Sequence, residues 1–275
     1  MRLMLSVLLL LPACHLIYPL TSGDRADATP DVARIDAGPT PDGSGMDAPA
    51  DGPVDASMDR KPDAGCPPVH WQYVSGKTCP PTHPYPLSAS VTCPTGQGIE
   101  ASYPIGNGWE ARCTAGAKPT TSVLCTSIQP RYDSHSTSRG GGSASAFPCN
   151  SNEGILGGGC QCPSGTHLLH HFSSLTGTQW VCLCDGAGAR TVHVICLDFK
   201  ASCRPNTSAQ PFVSTDQSAI TCPPGGRLLS GGYRLNPAGA GFVRALELKP
   251  ASQLITVTTS PAAGQLASHI VCSRP

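Results

Sequence analysis

The feature that most constrains the fold of this chain is the density of cysteine in residues 66–275. This part of the chain holds 14 of the 15 cysteines, is rich in Gly, Ser, Thr and Pro, and has few aromatic residues. A chain of this composition cannot rely on a large hydrophobic core alone, and in an oxidising compartment its thiols form a disulfide framework instead. The pattern therefore predicts a head that is stapled by disulfide bonds.

The first residues indicate that the chain is exported, which is the condition for such bonds. Arg2 is followed by a short apolar run that ends at Leu11-Pro12-Ala13-Cys14. A basic residue, a short apolar region and a small residue before a cleavage point are typical of a secretory signal peptide. Because the apolar run continues to Leu20, an uncleaved anchor and an ordinary cleaved signal peptide both stay open.

The Leu-x-Ala-Cys ending resembles the lipobox of bacterial lipoproteins, in which the cysteine becomes the acylated first residue. The resemblance implies a signal peptide over residues 1–13, lipidation at Cys14 and a membrane partner reached through the lipid. His15 is not the Asp that follows the lipidated cysteine in the best-known inner-membrane retention signal, which favours the outer membrane. Without Cys14, an even number of cysteines remains, and all of them can pair.

Residues 14–65 are predicted to be a disordered stalk. From residue 21 to residue 65 there is no aromatic side chain, and Asp recurs every three to six residues between Ala, Pro and Gly. Ten Asp against four Lys and Arg give this stretch a net charge of −6. Such a segment cannot offset an ordering entropy of roughly 1–2 kcal/mol per residue, and self-repulsion extends it further.

Residues 66–275 are predicted to be all-β, built from tandem small antiparallel modules. Sustained apolar spacing at 3.6 residues is missing from the sequence, whereas short β-branched runs such as residues 191–195 and 254–258 are bounded by Gly and Pro. This part has 13 Lys and Arg against 8 Asp and Glu, a net charge of +5. So dilute a charge does not favour nucleic acid as a partner.

One pattern can be traced three times through these residues. Each copy opens with Cys-Pro-x-Gly, at residues 93–96, 162–165 and 222–225. Two aromatic residues follow in each copy, namely Tyr103 and Trp109, Phe172 and Trp180, and Tyr233 and Phe242. Each copy then closes with an apolar run that ends in cysteine, at Cys125, Cys196 and Cys272.

The copies resemble modules of secreted bacterial proteins in which a Cys-Pro-Ala-Gly corner, a Gly-Gly turn, a Trp-initiated strand and a closing strand ending in Cys recur. Gly231-Gly232-Tyr233 in the third copy fits that pattern best. The resemblance implies no known activity. The expected organisation is module 1 over residues 66–133, a flexible Ser/Gly linker over 134–148, module 2 over 149–202 and module 3 over 203–275.

Comparison of the copies predicts four disulfide bonds. The opening and closing cysteines occur in every copy, which predicts Cys93–Cys125, Cys162–Cys196 and Cys222–Cys272. Copy two has gained two further thiols together, which predicts Cys160–Cys182. The comparison leaves six cysteines unassigned, namely Cys66, Cys79, Cys113, Cys149, Cys184 and Cys203.

Two arrangements are weak candidates for metal binding. The Cys-x-Cys pairs at residues 160–162 and 182–184 could bring four sulfurs to one ion, but an exported chain favours disulfides there. If the first and last strands of copy two pair around a Cys162–Cys196 bond, His167 and His193 would share one face. A third ligand is missing from that pair, so exposed strand histidines are the favoured interpretation and no metal or other cofactor is predicted.

The most favoured function is non-catalytic, in binding, adhesion or envelope structure. The ligand could be an envelope polymer, a carbohydrate or a protein, and the repeated aromatics could form a sugar-stacking platform, although core packing is the more usual reason for them. An exported hydrolase is the first alternative and a periplasmic metal-binding protein is the second. The sequence lacks a Gly-x-Ser-x-Gly or His-Glu-x-x-His motif and has only eight acidic residues after residue 65, so no catalytic residue is assigned.

Overall fold

Antiparallel β-strands, with two short 3-10 turns at Thr114–Gly116 and Pro250–Ser252, make up the regular structure of the described residues, which confirms the predicted all-β class. The computed structural model describes residues 70–140, 143–199, 203–237, 241–260 and 264–274. All of them fall in a single compact unit, residues 58–275. The predicted signal peptide, the lipidation site Cys14, the stalk and Cys66 lie outside the described residues. No helix in the described part of the chain is long and apolar enough to cross a membrane.

The strands fall into three consecutive sets. Set 1 (residues 71–126) contains β1 (Trp71–Ser75), β2 (Tyr85–Thr92), β3 (Ile99–Ile105), β4 (Gly108–Cys113) and β5 (Thr120–Thr126). Set 2 (residues 131–198) contains β6 (Arg131–Arg139), β7 (Ser145–Pro148), β8 (Glu153–Gln161), β9 (Leu168–Ser173), β10 (Gln179–Cys184) and β11 (Gly188–Asp198). Set 3 (residues 206–272) contains β12 (Asn206–Ala209), β13 (Gln217–Thr221), β14 (Leu228–Pro237), β15 (Val243–Lys249), β16 (Leu254–Thr259) and β17 (Gly264–Cys272).

Each set follows the same pairing scheme. The last strand of a set lies between two earlier strands, so that β5 pairs with β1 and β2, β11 with β6 and β8, and β17 with β12 and β14. The two strands in between form a hairpin, β3–β4, β9–β10 or β15–β16. A further strand, β7 or β13, extends the hairpin in sets 2 and 3, and an isolated bridge between Thr78 and Gly108 takes that place in set 1.

The three sets are joined in a ring by shared sheets. Sheet 1–2 has the order β4-β3-β8-β11-β6, sheet 2–3 the order β12-β17-β14-β9-β10-β7, and sheet 3–1 the order β1-β5-β2-β15-β16-β13. The hairpin of one set thus pairs with the next set at Ser102 and Cys160, at His171 and Tyr233, and at Leu246 and Val91. No set has a complete sheet of its own, so the sets cannot act as independent beads.

Two irregularities in strand register recur in every set. In the first, one leucine near the start of β2, β8 or β14 has no partner on the neighbouring strand; these residues are Leu87, Leu156 and Leu229. In the second, one residue of β3, β9 or β15 has no partner on the other strand of its hairpin; these residues are Glu100, Leu169 and Arg244. Bulges of this kind bend a strand and increase its twist. Here they let each hairpin leave its own set and join the neighbouring one.

The centre of the head lies where β2, β8 and β14 contact one another. The three leucines of the first irregularity are completely buried there. The following residue in each strand is small, namely Ser88, Gly157 and Ser230, and the Ser230 hydroxyl lies 3.3 Å from that of Ser88. A side chain on Gly157 would collide with the carbonyl oxygen of Leu87. Only small residues therefore allow the three strands to meet.

The disulfide bonds follow the strand scheme, which corrects two of the four predicted pairs. The predicted Cys160–Cys182 and Cys222–Cys272 bonds are present. Cys93 bonds to Cys113 instead of Cys125, and Cys162 bonds to Cys184 instead of Cys196. The closing cysteines bond instead to the cysteines that precede β2 and β8, in Cys79–Cys125 and Cys149–Cys196. Cys203 is also disulfide-bonded.

The error has a local cause, because the Cys-Pro-x-Gly turn does not mark the same place in each set. Gly96, Gly165 and Gly225 have nearly equal positive φ angles of 81°, 79° and 82°, so the turn is the same. It connects β2 to β3 and β8 to β9, but in set 3 it connects β13 to β14. Cys222 therefore occupies the position of Cys79 and Cys149, and Cys222–Cys272 is the counterpart of their bonds.

The segment 134–148 is not the linker that its Ser and Gly content predicted. Most of it lies in β6, which pairs with β11 along nine residues, and in β7, which pairs with β10. Serine and threonine suit the exposed face of an edge strand, where the side chain need not be buried. Composition alone did not separate a polar edge strand from a loop.

Peptide mapping under non-reducing conditions should recover this bond pattern. We expect cross-linked peptides that contain Cys79 with Cys125 and Cys149 with Cys196, because these pairs are bonded across neighbouring strands. Mass spectrometry of a proteolytic digest, with free thiols blocked before unfolding, checks the expectation. Recovery of Cys93–Cys125 or Cys162–Cys196 peptides in their place would contradict the pairing.

Candidate ligand-binding clefts

Exposed apolar side chains concentrate at the joints between the sets. Among the described residues the large hydrophobic side chains that are exposed are Tyr73, Ile105, Tyr132, Leu175 and Phe212. Ile105 and Tyr132 lie at the joint of sets 1 and 2, and Tyr73 lies at the joint of sets 3 and 1. The Leu175 carbonyl oxygen accepts from Thr207 of β12, and Phe212 packs on Arg234 of β14, which pairs with His170 of β9. Both side chains therefore lie at the joint of sets 2 and 3.

The first joint holds a cleft, which we call cleft A. It has a volume of about 310 Å³ and is lined by Pro104, Ile105, Gly106, Tyr132, Asp133, Ser134 and His193. The turn between β3 and β4 supplies one wall, and β6 and β11 supply the other. Cleft A therefore exists only because two sets share one sheet.

The wall formed by set 1 crosses closely over β8. A Cβ on Gly159 would collide with the Cα of Tyr103, so only glycine lets the end of β3 lie against β8. The crossing places the Tyr103 ring on the imidazole of His193, with ring centroids 4.7 Å apart and planes 12° apart. The stack fixes the orientation of His193 at the edge of cleft A.

Asp133, one of the residues that line cleft A, belongs to a charged group centred on Arg131. Its guanidinium donates to both oxygens of Glu153, at 2.7 and 2.5 Å, and to Oδ2 of Asp133 at 2.7 Å. The Arg131 hydrogen bond is the main reason that the pKa of Glu153 is lowered. One cation thus faces two carboxylates, so the local charge balance is negative.

Sheet 3–1 has a cleft of about 220 Å³ at the matching joint, which we call cleft B. It is lined by Tyr73, Ser90, Thr92, Thr120, Ser122, Glu247, Leu248 and Lys249. Hydroxyl groups dominate this lining, and Glu247 and Lys249 lie 3.5 Å apart as an ion pair. Like cleft A, cleft B combines a tyrosine ring, a carboxylate and hydroxyl groups.

The tyrosines of the two clefts occupy the same place in the strand scheme. Tyr73 pairs with Leu124 and Tyr132 pairs with Ile195, in each case the residue before the closing cysteine. Both side chains are 37% exposed. Both hydroxyls are anchored, Tyr73 to the Ser90 hydroxyl at 2.6 Å and Tyr132 to the Pro86 carbonyl oxygen at 2.9 Å. Each ring is therefore held in place with part of its surface open.

The third joint presents a basic and aromatic surface. The Phe172 ring lies against the His269 ring, with centroids 4.2 Å apart and planes tilted by 34°, at the position that Tyr103 and His193 occupy one set earlier. The Arg234 guanidinium lies 5.0 Å from the centroid of the Phe212 ring. Burial, with Arg234 nearby, lowers the pKa of His269 to about 4. The equivalent surfaces thus share a geometry but differ in charge.

The aromatic residues singled out from the sequence divide into two groups. Trp109, Trp180 and Tyr233 are completely buried, and Trp109 donates to the Ser102 hydroxyl at 2.9 Å. Tyr103, Phe172 and Phe242 are half-buried, each against a histidine ring. Core packing, the favoured interpretation, thus holds for the first group. The exposed rings Tyr73 and Tyr132 were missed, because nothing in a lone strand tyrosine marks it as exposed.

The structure does not bring the candidate metal ligands together. His167 bonds to Asp185 at 2.7 Å and stacks on Phe242 of set 3, whereas His193 stacks on Tyr103 of set 1. Their assumed pairing around Cys162–Cys196 is wrong, since Cys162 lies beside β10. The four Cys-x-Cys sulfurs form two disulfides. In the described part of the chain the one cluster of potential ligands contains the bonded pair Cys149 and Cys196, which leaves Glu153 alone.

Another depression, of about 560 Å³, lies on set 1 beside β4. It holds two carboxylates, but each has a cation beside it. Glu100 lies 3.3 Å from Arg112 and accepts from the Gly165 N–H at 2.8 Å, and Glu110 lies 3.3 Å from Lys77. The buried Glu100 thereby ties set 1 to the Cys-Pro-x-Gly turn of set 2. Its contacts explain it as a structural group.

Burial of histidine predicts a loss of stability in mild acid. Burial lowers the pKa of His171 from 6.5 to about 4 in the folded state. Between these values the unfolded chain binds a proton that the folded chain does not, so stability is highest above pH 6.5 and falls as the pH drops towards 4. We expect urea unfolding at pH 7.5, 6.5, 5.5 and 4.5 to show this fall, and H171F to show a shallower one. If the free energy of unfolding of H171F fell with pH as steeply as that of the wild-type protein, His171 would not be a source of the pH dependence.

No protein-family model matches the chain, and a search of curated proteins found none similar to it.

Proposed function

We propose that this protein is a cell-envelope lipoprotein whose head binds ligands without catalysis, at the joints between its three sets. The single observation that carries the proposal is the placement of the exposed apolar side chains. Surface hydrophobic residues scattered singly need no explanation, but here the five large hydrophobic side chains that are exposed in the described residues all lie at joints between sets. Concentration of exposed apolar surface marks interaction sites.

The geometry of the clefts supports binding. Cleft A and cleft B both present an anchored tyrosine ring next to a carboxylate and hydroxyl groups. A few fixed polar groups around an apolar wall are characteristic of ligand sites. Disulfides hold the surrounding strands, so the walls keep their shape without a ligand and little ordering free energy is lost on binding.

The proposed location follows from the first residues together with the disulfides. Six disulfide bonds between described residues indicate an exported or otherwise oxidising location. The lipobox-like ending at Cys14 supports a lipid anchor, with the outer membrane favoured by His15. The acidic segment up to residue 65 would then hold the head away from the bilayer, where envelope polymers, carbohydrates or proteins can reach the joints.

The three sets are proposed to be copies of one ancestral module. Support comes from the recurrence of the pairing scheme, of both bulges and of the Cys79–Cys125, Cys149–Cys196 and Cys222–Cys272 bonds. Copies of one binding surface on a rigid head allow several weak contacts to act together, and the combined affinity then exceeds that of each contact.

A sedimentation assay tests the binding role. The purified full chain is mixed with isolated envelope polymers and with intact cells, and the bound fraction is measured. We expect the variant I105S/L175S/F212S, changed at two joints, to bind at least about tenfold more weakly, because central apolar contacts carry most of the affinity of an interface. The variant T95A/R227A, changed at two exposed residues that line neither cleft A nor cleft B, is the control. Equal binding by both variants would contradict the proposal.

A further inference from the structure

We propose that cleft A, between Ile105 on one wall and Tyr132, Asp133, Ser134 and His193 on the other, binds a neutral carbohydrate ring. This inference rests on the proposed binding function and names its ligand class. It is carried by the combination of an apolar surface with hydrogen-bond acceptors in a cleft of one-ring size.

The size of cleft A suits a single ring. Its volume of about 310 Å³ lies at the lower end of the roughly 300–1,000 Å³ typical of small-molecule sites. One wall is a tight turn in which Gly106 has a φ of 54°, and the other wall is a pair of hydrogen-bonded strands. A macromolecular chain segment would need a longer groove than this.

The apolar part of cleft A suits the C–H face of a sugar. The Tyr132 ring is 37% exposed, and its hydroxyl is already used by the Pro86 carbonyl oxygen at 2.9 Å, so the ring surface is what remains for a ligand. The Ile105 side chain is 58% exposed on the opposite wall. A ring between them removes apolar surface on both sides from water.

The polar part of cleft A suits hydroxyl groups. Oδ1 of Asp133 accepts from the Ser134 N–H at 2.9 Å, and Oδ2 accepts from Arg131 at 2.7 Å. An ionised carboxylate has about four acceptor positions, so each oxygen retains capacity for a further donor. The exposed Ser134 hydroxyl adds one donor and acceptor. Hydroxyl-bearing rings are the ligands that use both an apolar face and several donors.

The charge balance argues against an acidic ligand. Arg131 is shared between Asp133 and Glu153, and burial lowers the pKa of His193 to about 4. At neutral pH the imidazole is therefore uncharged, and the groups around cleft A carry a net negative charge. An anionic sugar or a phosphate would be repelled, whereas a neutral sugar is not.

The experiment measures binding of methyl glycosides of glucose, galactose, mannose and N-acetylglucosamine to the purified full chain, by NMR chemical-shift titration. We expect at least one of them to bind with a dissociation constant on the order of millimolar, as is usual for so small a ligand. S134W places a large side chain in cleft A and should weaken that binding by at least about tenfold. S138W, at an exposed position four residues further along β6, should leave the binding unchanged. D133N should weaken it several-fold.

Each result has a defined meaning. Glycoside binding that S134W abolishes and S138W preserves supports the inference. Glycoside binding that S134W leaves unchanged overturns the assignment to cleft A. Tetramethylammonium, titrated in the same way, is the cationic probe, and its binding in place of every glycoside overturns the ligand class. If the glycosides fail while polymer or cell binding persists, the carbohydrate inference is overturned and the proposed binding function stands; loss of all binding overturns both.

Discussion

Replacing Gly157 by alanine should destabilise the head by about 3 kcal/mol or more, because a backbone clash in a packed centre cannot be relieved by moving one side chain. The added Cβ would collide with the carbonyl oxygen of Leu87 and approach the Ser230 hydroxyl to 3.3 Å. Leu87 and Ser230 lie in β2 and β14, so the collision pushes apart the three strands on which every sheet depends. Urea unfolding of the disulfide-intact protein measures the effect.

Two controls separate this clash from a general effect of the substitution. Gly140 has open space around its Cα, so G140A should change stability by no more than about 0.5 kcal/mol. S88A at the position equivalent to Gly157 removes only the hydroxyl contact with Ser230 and should cost about 1 kcal/mol. A G157A protein as stable as the G140A protein would show that the three strands do not meet as described.

Removing the Cys222–Cys272 bond by the double change C222A/C272A should cost about 4 kcal/mol. The bond closes a sequence separation of 50 residues, and in the chain-entropy model a loop of this length stabilises the fold by about 4 kcal/mol. It joins the turn before β14 to the end of β17. Its loss therefore removes the covalent link between β14, one of the three strands at the centre, and its partner strand. Unfolding in urea without reductant measures the difference from the wild-type protein.

The matched comparison is C93A/C113A, which opens a separation of only 20 residues. The same model gives about 3 kcal/mol for that loop, so this variant should be the more stable of the two. If C93A/C113A proved the less stable protein, the restriction of the unfolded chain would not be what these bonds contribute. Native-state strain or lost packing would then have to explain the order.

Local sequence signals predicted the strands well where the chain is buried. The β-branched runs at residues 191–195 and 254–258 lie in β11 and β16, as expected. Such runs suit a pleated, buried surface and need no information from distant residues. The Ser-rich run around residues 134–138 was misassigned, because an exposed edge strand has no apolar face to reveal it.

Disulfide pairing depended on topology and was only half predictable. Cys160–Cys182 could be inferred because both thiols are extra to one copy, whatever the fold. Cys93–Cys125 failed because the comparison aligned Cys222 with Cys93 by the turn that follows each. A Pro-x-Gly turn reports only its own backbone angles, and the same turn serves two different connections in this chain.

The candidate sites could not be predicted from the sequence for the same reason, because they depend on which strands pair. Tyr73 and Tyr132 are ordinary strand residues in the sequence, and they become equivalent only through their pairing with Leu124 and Ile195. His167 and His193 would have shared one face only if β9 had paired with β11. The hairpin instead pairs within itself and then with the next set, so the two histidines contact different neighbours.

The sequence by itself determined the all-β class and the need for disulfides, because composition, β-branched runs and a low aromatic content act residue by residue. Only the tertiary structure decided that each hairpin joins the neighbouring set, which cysteines meet, and where the clefts lie. These features depend on contacts between residues far apart in the chain. Such contacts are selected by packing of the whole ring around Leu87, Leu156 and Leu229, and no short stretch of the sequence carries that information.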